Sequence, residues 1–153
     1  MKKTTKQLIV KLTFFLFFSL TAKINAMSQT NPTPMKLLIH ITSGTENPTK
    51  AALAFLVART AVEEGNTVTL FLAGDAVQLI RDNVLDNLSG LGTGKLRDHM
   101  DVLIKAGTKI YLSGNSSKAR GVTEVDIANK NAEFALPTVL IKLIRESDKN
   151  ITY

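Results

Sequence analysis

A chain of 153 residues, 44% hydrophobic and 21% charged, is long enough for one globular domain, and its composition is that of a folded protein. A net charge of +6 would suggest nucleic-acid binding, but most of the excess positive charge lies in residues 1–26, which hold five lysines and no acid. The rest carries 14 basic and 13 acidic residues, which excludes a broad cationic surface for phosphate backbones. The absence of cysteine excludes disulfides, thiolate metal sites and thiol nucleophiles, and we expect no metal and no cofactor.

The first 26 residues have the pattern of a secretory signal peptide. Three lysines within the first six residues precede an apolar run over residues 12–22, which is shorter than the roughly twenty residues that a membrane span needs. Ala26 offers a small residue for cleavage, and the alternative is an uncleaved amphipathic anchor. We therefore expect a periplasmic or secreted bacterial protein with no stable membrane span after cleavage, and a flexible spacer over residues 27–35.

The first part of the domain is predicted as strand, helix, strand. The mostly apolar run 36–41 is typical of a strand buried on both faces of a parallel sheet. Asn47 and Pro48 open a helix, since Asn accepts hydrogen bonds from free N-terminal amides and Pro fits the first turn, and Gly65 ends it. Residues 67–72 form the next strand, so this unit predicts a right-handed crossover.

The second part of the domain alternates in the same way. In chain order we predict a short helix (76–81), a loose glycine-rich segment (82–94), an amphipathic helix (95–105), a strand (109–113) and a polar loop (114–121). These are followed by one helical turn (123–126), a segment that the pattern leaves open (129–137), a helix (138–146) and a closing strand (151–153). The alternation predicts an α/β fold, a three-layer α/β/α sandwich with a mostly parallel sheet of four to five strands, in one domain over residues 36–153.

Three polar loops follow predicted strands and form the candidate ligand site, because ligands of open α/β sheets bind at the carboxyl ends of the strands. The candidate ligand-binding residues in these loops are Thr42, Ser43, Gly44, Asp75, Ser113, Gly114, Ser116, Lys118 and Arg120. The last loop is either an anion pocket of backbone amides and two cations or a polar turn with solvated cations. Asp75 is expected to cap the helix that follows it rather than to orient a ligand.

Two familiar catalytic patterns are not supported. The glycine-rich segment lacks the phosphate-loop pattern, because Ser89 stands where its first glycine belongs and Leu96 where it requires Ser or Thr, so a mobile linker is expected. A hydrolase built on Ser113 would need an adjacent base, and His40, a lone strand histidine, is expected to be a packed residue instead. The other histidine, His99, is expected on a helix surface.

The segment IYLSGNSSKARGV, from Ile110 to Val122, resembles the segment of DsrE/DsrF-like proteins that has the rough form I-Y-x-C-G-x-S-A-K-A-R-G-L. The loop over 42–44, the turn over 71–77 and the closing residues 145–153 agree with this resemblance, which covers nearly all of residues 36–153. The resemblance implies a parallel-sheet α/β/α fold, frequent assembly as trimers or hexamers and, in some members, persulfide transfer.

The chain departs from this pattern at the reactive position, where Ser113 stands in place of the family cysteine. A serine hydroxyl cannot form a persulfide and no other thiol exists, so direct sulfurtransfer is disfavoured and no catalytic residue is assigned. We expect a non-catalytic exported module that binds a small or anionic ligand or assembles as a homo-oligomer, a trimer or hexamer, and that binds no nucleic acid. The alternative is an enzyme that uses a non-thiol site around Ser113, as a hydrolase or in sulfur metabolism.

Overall fold

The structure, a computed structural model, describes residues 33–153, and the predicted signal peptide lies outside that range. The strands are β1 (Lys36–Ile41), β2 (Thr67–Leu72), β3 (Ser89–Gly90), β4 (Gly94–Lys95), β5 (Lys109–Ser113), β6 (Ala132–Ala135) and β7 (Lys149–Thr152). The α-helices are α1 (Pro48–Glu63), α2 (Asp82–Asn87), α3 (Leu96–Lys105), α4 (Gly114–Ala119), α5 (Glu124–Ile127) and α6 (Pro137–Glu146), and a 3-10 helix spans Gly74–Ile80. Among these residues no helix has the length and apolar composition to cross a membrane.

Five strands form one parallel sheet in the order β6-β5-β2-β1-β7, with helices on both faces, which confirms the predicted three-layer α/β/α sandwich. From β1 the chain proceeds through β2 and β5 to β6 in one direction. The connection from β6 to β7 then returns across the whole sheet in the opposite direction. Because crossovers between parallel strands are right-handed, the helix of that return, α6, must lie on the opposite face from α1.

The main core lies between the first sheet face and α1, the 3-10 helix, α2 and α3. In β1 it takes every second residue, Leu37, Ile39 and Ile41, as the alternation of side chains along a strand requires. Small residues in α1 let that helix pack closely on the sheet: Ala51, Ala52, Ala54 and Ala58 are all fully buried, together with Phe55. This face supplies most of the buried apolar surface of the domain.

The second sheet face is covered more thinly, because α6 is the helix that the return connection places there. Its buried centre consists of Leu38, Phe71 and Ala135. Three residues of α6 pack against this centre while remaining half-buried: Val139, Leu140 and Leu143. No residue of α6 is fully buried, so this layer holds the helix with less apolar contact than the first face gives α1.

The segment predicted as loose, residues 82–94, with a mobile linker expected in its glycine-rich part, is instead the helix α2 followed by an antiparallel hairpin of β3 and β4. Gly90 allows the hairpin to lie on α1, since a Cβ there would be 2.9 Å from the Cα of Thr49. Arg97 anchors α2 by donating hydrogen bonds to Asp82 and Asp86 at 2.8 and 2.7 Å. The bond from Arg97 holds the pKa of the Asp82 carboxyl below its usual value. The glycines of this segment allow close packing. The glycine-rich composition alone is equally typical of a linker.

His99 is buried rather than on the surface, with 5% of its area exposed. Its Nε2 atom lies 2.7 Å from the carbonyl oxygen of Thr93, so the ring fastens the hairpin to α3. Gly94 suits the hairpin because its φ of +80° lies in the left-handed region that favours glycine, and a Cβ there would make only ordinary contact, 3.6 Å, with Nε2. The expectation of a surface histidine was wrong because the hairpin, which supplies its partner, was not predicted.

Candidate functional site

The three loops predicted as a ligand site converge at the carboxyl edge of the sheet. Gly44, in the loop after β1, is buried against the loop after β2, and a Cβ on it would lie 2.6 Å from the carbonyl oxygen of Asp75. Its amide donates to both carboxylate oxygens of Glu46, at 2.8 and 2.9 Å. Only glycine allows the two loops to approach this closely.

The third segment, predicted as a polar loop over residues 114–121, begins instead with the helix α4, and it is bonded to the loop after β2. The hydroxyl oxygen of Ser116 accepts a hydrogen bond from the amide of Gly74 at 3.0 Å. The Nε of Arg120 donates to Asp75 at 2.8 Å, and its NH1 to the carbonyl of Ser116 at 3.4 Å. These bonds join two loops that are about forty residues apart in sequence.

The Arg120–Asp75 ion pair corrects one prediction and bears on another. Asp75 does not cap the 3-10 helix, whose N-cap residue is Ala73 without a side-chain bond. The carboxylate pairs with Arg120 instead, so the positive charge of Arg120 is largely neutralised in place. Lys118, the other cation of the proposed anion pocket, is exposed on α4. The arrangement therefore resembles the polar-turn alternative more closely than a ready anion pocket.

Ser113 is the last residue of β5, so it lies at the carboxyl edge of the sheet, and it is half-buried. Its hydroxyl caps α4 by accepting a hydrogen bond from the amide of Ser116, at a long distance of 3.5 Å. Gly114 follows at the first position of α4, and a Cβ there would have ordinary contact, 3.6 Å, with the carbonyl of Ala135. The hydroxyl is thus weakly held at the edge and is not part of the interior.

The remaining candidates, Thr42 and Ser43, lie beside β1. Thr42 fastens the closing strand, because both its amide and its hydroxyl donate to the carbonyl of Tyr153, at 2.8 and 2.9 Å. Ser43 is half-buried between Thr42 and Gly44. The structure thus brings Gly44, Asp75, Ser116 and Arg120 together, while Thr42 is engaged in strand pairing.

His40 and Ser113 do not form a catalytic pair. They lie on strands separated by β2, where Phe71 is in register with His40 on one side and with Tyr111, two residues before Ser113, on the other. Two strand spacings and a two-residue offset along β5 put the two Cα atoms roughly 12 Å apart. The His40 and Phe71 rings meet edge to face, with centroids 5.9 Å apart at 67°. Ser113 therefore has no general base in His40.

The environment of His40 predicts a pH-dependent stability. Its Nε2 is buried without a partner among the described residues, and desolvation lowers the pKa of the ring below 6.5. The unfolded chain therefore binds a proton more readily, so stability is full above pH 6.5 and is lost as the pH falls through the folded pKa. We expect His40→Leu to weaken the fall in unfolding free energy between pH 7 and pH 5, measured by urea denaturation. An unchanged slope in this variant would contradict the assignment.

Alanine substitutions at two adjacent serines, Ser116 and Ser117, are expected to change the unfolding free energy in opposite directions. The Ser117 side chain is 1% exposed and its hydroxyl has no partner in the described part of the chain, so Ser117→Ala should raise the unfolding free energy by about 1 kcal/mol. Ser116→Ala removes the acceptor of the Gly74 amide and should lower it by about 1–2 kcal/mol. Chemical denaturation of the two variants decides the point, and equal effects would mean that these bonds are wrongly assigned.

Two features of the site were missed by sequence reasoning. Arg81 donates to the carbonyls of Arg120 and Gly121, at 2.9 and 2.6 Å, and so supports the segment that follows α4. A cavity of about 360 Å³ also opens near the loop after β1, lined by Thr45, Pro48, Asn83, Val84, Asn87, Leu88 and Ser89. Both depend on contacts between distant segments and on the unpredicted helix α2. No local sequence signal marks them, and the cavity lining carries no charged residue.

The fold and the edge loops define an open-sheet α/β protein whose candidate site is at the carboxyl ends of the strands. The sequence profile of the DsrE/DsrF-like family matches residues 35–153, and the chain belongs to that family. Within residues 33–153 no group of three histidine or acidic side chains is arranged to hold a metal ion.

Two relatives match about two thirds of this chain. The chain is 30% identical over 105 residues to the uncharacterized protein MJ0760 of Methanocaldococcus jannaschii, covering 69% of this chain but only 38% of that protein's length. It is 30% identical over 107 residues to the uncharacterized protein MK0008 of Methanopyrus kandleri, covering 68% and 82% of the two chains.

Two solved structures share the fold at low sequence identity. The crystal structure of the ychN protein from E. coli matches with a TM-score of 0.65 at 16% identity, over 78% of this chain and 99% of that one. The conserved protein BT1422 from Bacteroides thetaiotaomicron matches with a TM-score of 0.53 at 15% identity, over 77% and 94%. At these identities the likeness concerns the fold alone.

Proposed function

We propose that this protein is an exported member of the DsrE/DsrF-like family that binds a small ligand or assembles with further copies, and that does not itself carry sulfur. One observation carries the proposal: Ser113 stands half-buried at the sheet edge, where the resembling motif has its cysteine, and the chain contains no cysteine at all. The signal-peptide pattern of residues 1–26 supports the exported location.

The chemistry of sulfur relay explains why this substitution matters. A relay protein needs a thiolate that attacks the outer sulfur of a donor persulfide and then holds that sulfur as its own persulfide. A serine hydroxyl is protonated at neutral pH and cannot store sulfur in this way. An activated serine would need a neighbouring base, and His40 lies two strands away from Ser113, across β2. Hydrolysis at Ser113 is therefore not favoured either.

The arrangement of charges favours an uncharged ligand over an anion. Asp75 neutralises Arg120 at the convergence of the loops. The cavity lined by Thr45, Asn83, Asn87 and their apolar neighbours offers hydrogen-bonding groups without formal charge. Its volume of about 360 Å³ suits a small molecule. We therefore propose a small, neutral, polar ligand at this edge of the sheet.

A sulfur-transfer assay tests the proposed lack of relay activity. The purified protein is mixed with a low-molecular-weight persulfide donor and an acceptor thiol, and we expect transfer no faster than in the absence of protein. Native mass spectrometry of protein purified from its own compartment reports a retained ligand and the removal of residues 1–26. Protein-dependent sulfur transfer would overturn the proposal, and an intact N-terminal segment would contradict its removal as a signal peptide.

A further inference from the structure

A second cavity lies on the second sheet face, at the end of the sheet opposite to the loops described above. Its volume is about 400 Å³, which suits a small molecule. The strand residues in its lining come from the amino ends of β1 and β2, and α6 contributes its last turn and the residue that follows it. The lining includes Lys36, Thr67, Thr69, Leu143, Glu146 and Ser147.

The alternation of side chains along β1 and β2 makes the floor of this cavity polar. Leu38 and Phe71 belong to the buried centre of the second sheet face. Because every second residue of a strand points to the same face, Lys36, Thr67 and Thr69 share that face. Lys36 and Thr67 are also direct neighbours in the register of the two strands. The floor therefore presents one cation and two hydroxyl groups.

The end of α6 supplies negative charge to the opposite wall of the cavity. Glu146 is the last residue of the helix, and the carbonyl groups there add the negative end of the helix dipole. Burial and the carboxylates of Glu133 and Glu146 raise the pKa of Tyr111, so the charge of Glu146 extends to the sheet surface. The pair of Glu146 with Lys142 is long, 3.8 Å, and more than half exposed on both partners, so it holds the carboxylate weakly.

The two charges that border the cavity do not neutralise each other. Within residues 33–153 the Lys36 ammonium has no carboxylate at ion-pair distance. The carboxylate of Asp148 instead accepts a hydrogen bond from the Lys36 backbone amide at 2.8 Å. An anionic ligand would meet Lys36 but also face Glu146, and a cationic ligand would have the reverse difficulty. A ligand that carries both charges matches both walls.

We propose that this cavity binds a small zwitterion, namely a free α-amino acid with an apolar side chain. The ligand carboxylate is placed to pair with Lys36 and the threonine hydroxyls, and its ammonium group with Glu146 and the carbonyl groups at the end of α6. Its side chain packs on Leu143, which belongs to the apolar cluster of this face. The site lies at the opposite end of the sheet from the loops, so the inference goes beyond the proposed function and does not depend on it.

Calorimetric titration with L-leucine, on the full chain expressed and processed in an exporting host and then dialysed, tests the proposal. The matched probes are 4-methylpentanoate, which lacks the ammonium group, and 3-methylbutylamine, which lacks the carboxylate. We expect L-leucine to bind and each probe to bind at least about tenfold more weakly, because each leaves one charged wall unmatched. Failure of L-leucine to bind, or equally tight binding of either probe, would overturn the proposal.

Substitutions at the two walls locate the binding. Lys36→Met and Glu146→Gln keep the length of the side chains and remove their charges, and each should weaken L-leucine binding by about tenfold. Lys105→Met and Glu64→Gln are the controls, since both residues are exposed at the ends of helices that pack on the first sheet face, and both variants should bind as the wild type does. Unchanged affinity in folded Lys36→Met and Glu146→Gln would overturn the proposal, whatever the sulfur-transfer assay shows.

Discussion

Gly44→Ala is expected to lower the unfolding free energy by about 3 kcal/mol, near the upper end for overpacking in a closely packed region. The added methyl group would lie 2.6 Å from the carbonyl oxygen of Asp75 and 2.9 Å from a carboxylate oxygen of Glu46. The Glu46 side chain can move, but the backbone of the neighbouring loop moves only by separating the loops after β1 and β2. Urea denaturation of the variant gives the change directly.

The control for this substitution is Gly114→Ala at the same edge of the sheet. A Cβ there meets its nearest neighbour, the Ala135 carbonyl, at 3.6 Å, and the position begins a helix. Alanine should therefore be neutral or stabilise by up to about 1 kcal/mol, because it restricts the unfolded chain. Equal stability of the Gly44 and Gly114 variants would show that the loops do not approach as closely as described.

Phe71→Ala should be the most destabilising single truncation on the second sheet face, with a loss of about 3–5 kcal/mol. Phe71 is 2% exposed and is the largest side chain in the small cluster that holds α6. This face has one helix and no fully buried helical residue, so little surrounding structure can collapse into the cavity. Phe71→Leu keeps most of the volume and should cost less than about 1.5 kcal/mol.

The same substitution has a second observable in His40. Removal of the Phe71 ring admits water to the imidazole, so the pKa of His40 should rise toward its ordinary value. The His40 resonances followed by NMR across pH 5 to 8, in Phe71→Ala and in the wild type, report this shift. A loss of stability below about 1 kcal/mol in Phe71→Ala, or an unchanged His40 titration, would contradict the account of this face.

The sheet was predictable because its residues carry local signals. The apolar runs of β1 and β2 and the Asn47–Pro48 start of α1 each depend on neighbours in the chain, and all three were confirmed. β6 was left open because it is a four-residue edge strand preceded by Asn129 and Asn131 with positive φ, a conformation that the sequence does not mark clearly. The hairpin of β3 and β4 was missed since its stability comes from His99 and the surface of α1.

The candidate site was predictable as a place but not as a set of interactions. The rule that ligands bind at the carboxyl edge located the three loops that converge. It could not foresee that Asp75 would pair with Arg120, because the two residues are 45 positions apart and a capping role had a local basis. The cavity beside α2 was missed for the same reason.

Ser113→Cys tests the central claim most directly, since it places a thiol at the position where the resembling motif has one. We expect the new thiol to react with a maleimide reagent in the native protein and to accept sulfur from a persulfide donor. The matched variant is Ser117→Cys, four residues away, where the wild-type side chain is only 1% exposed, so its thiol should react only after unfolding. The placement of the site would be contradicted if the thiol at position 113 stayed unreactive in the folded protein while the thiol at position 117 reacted.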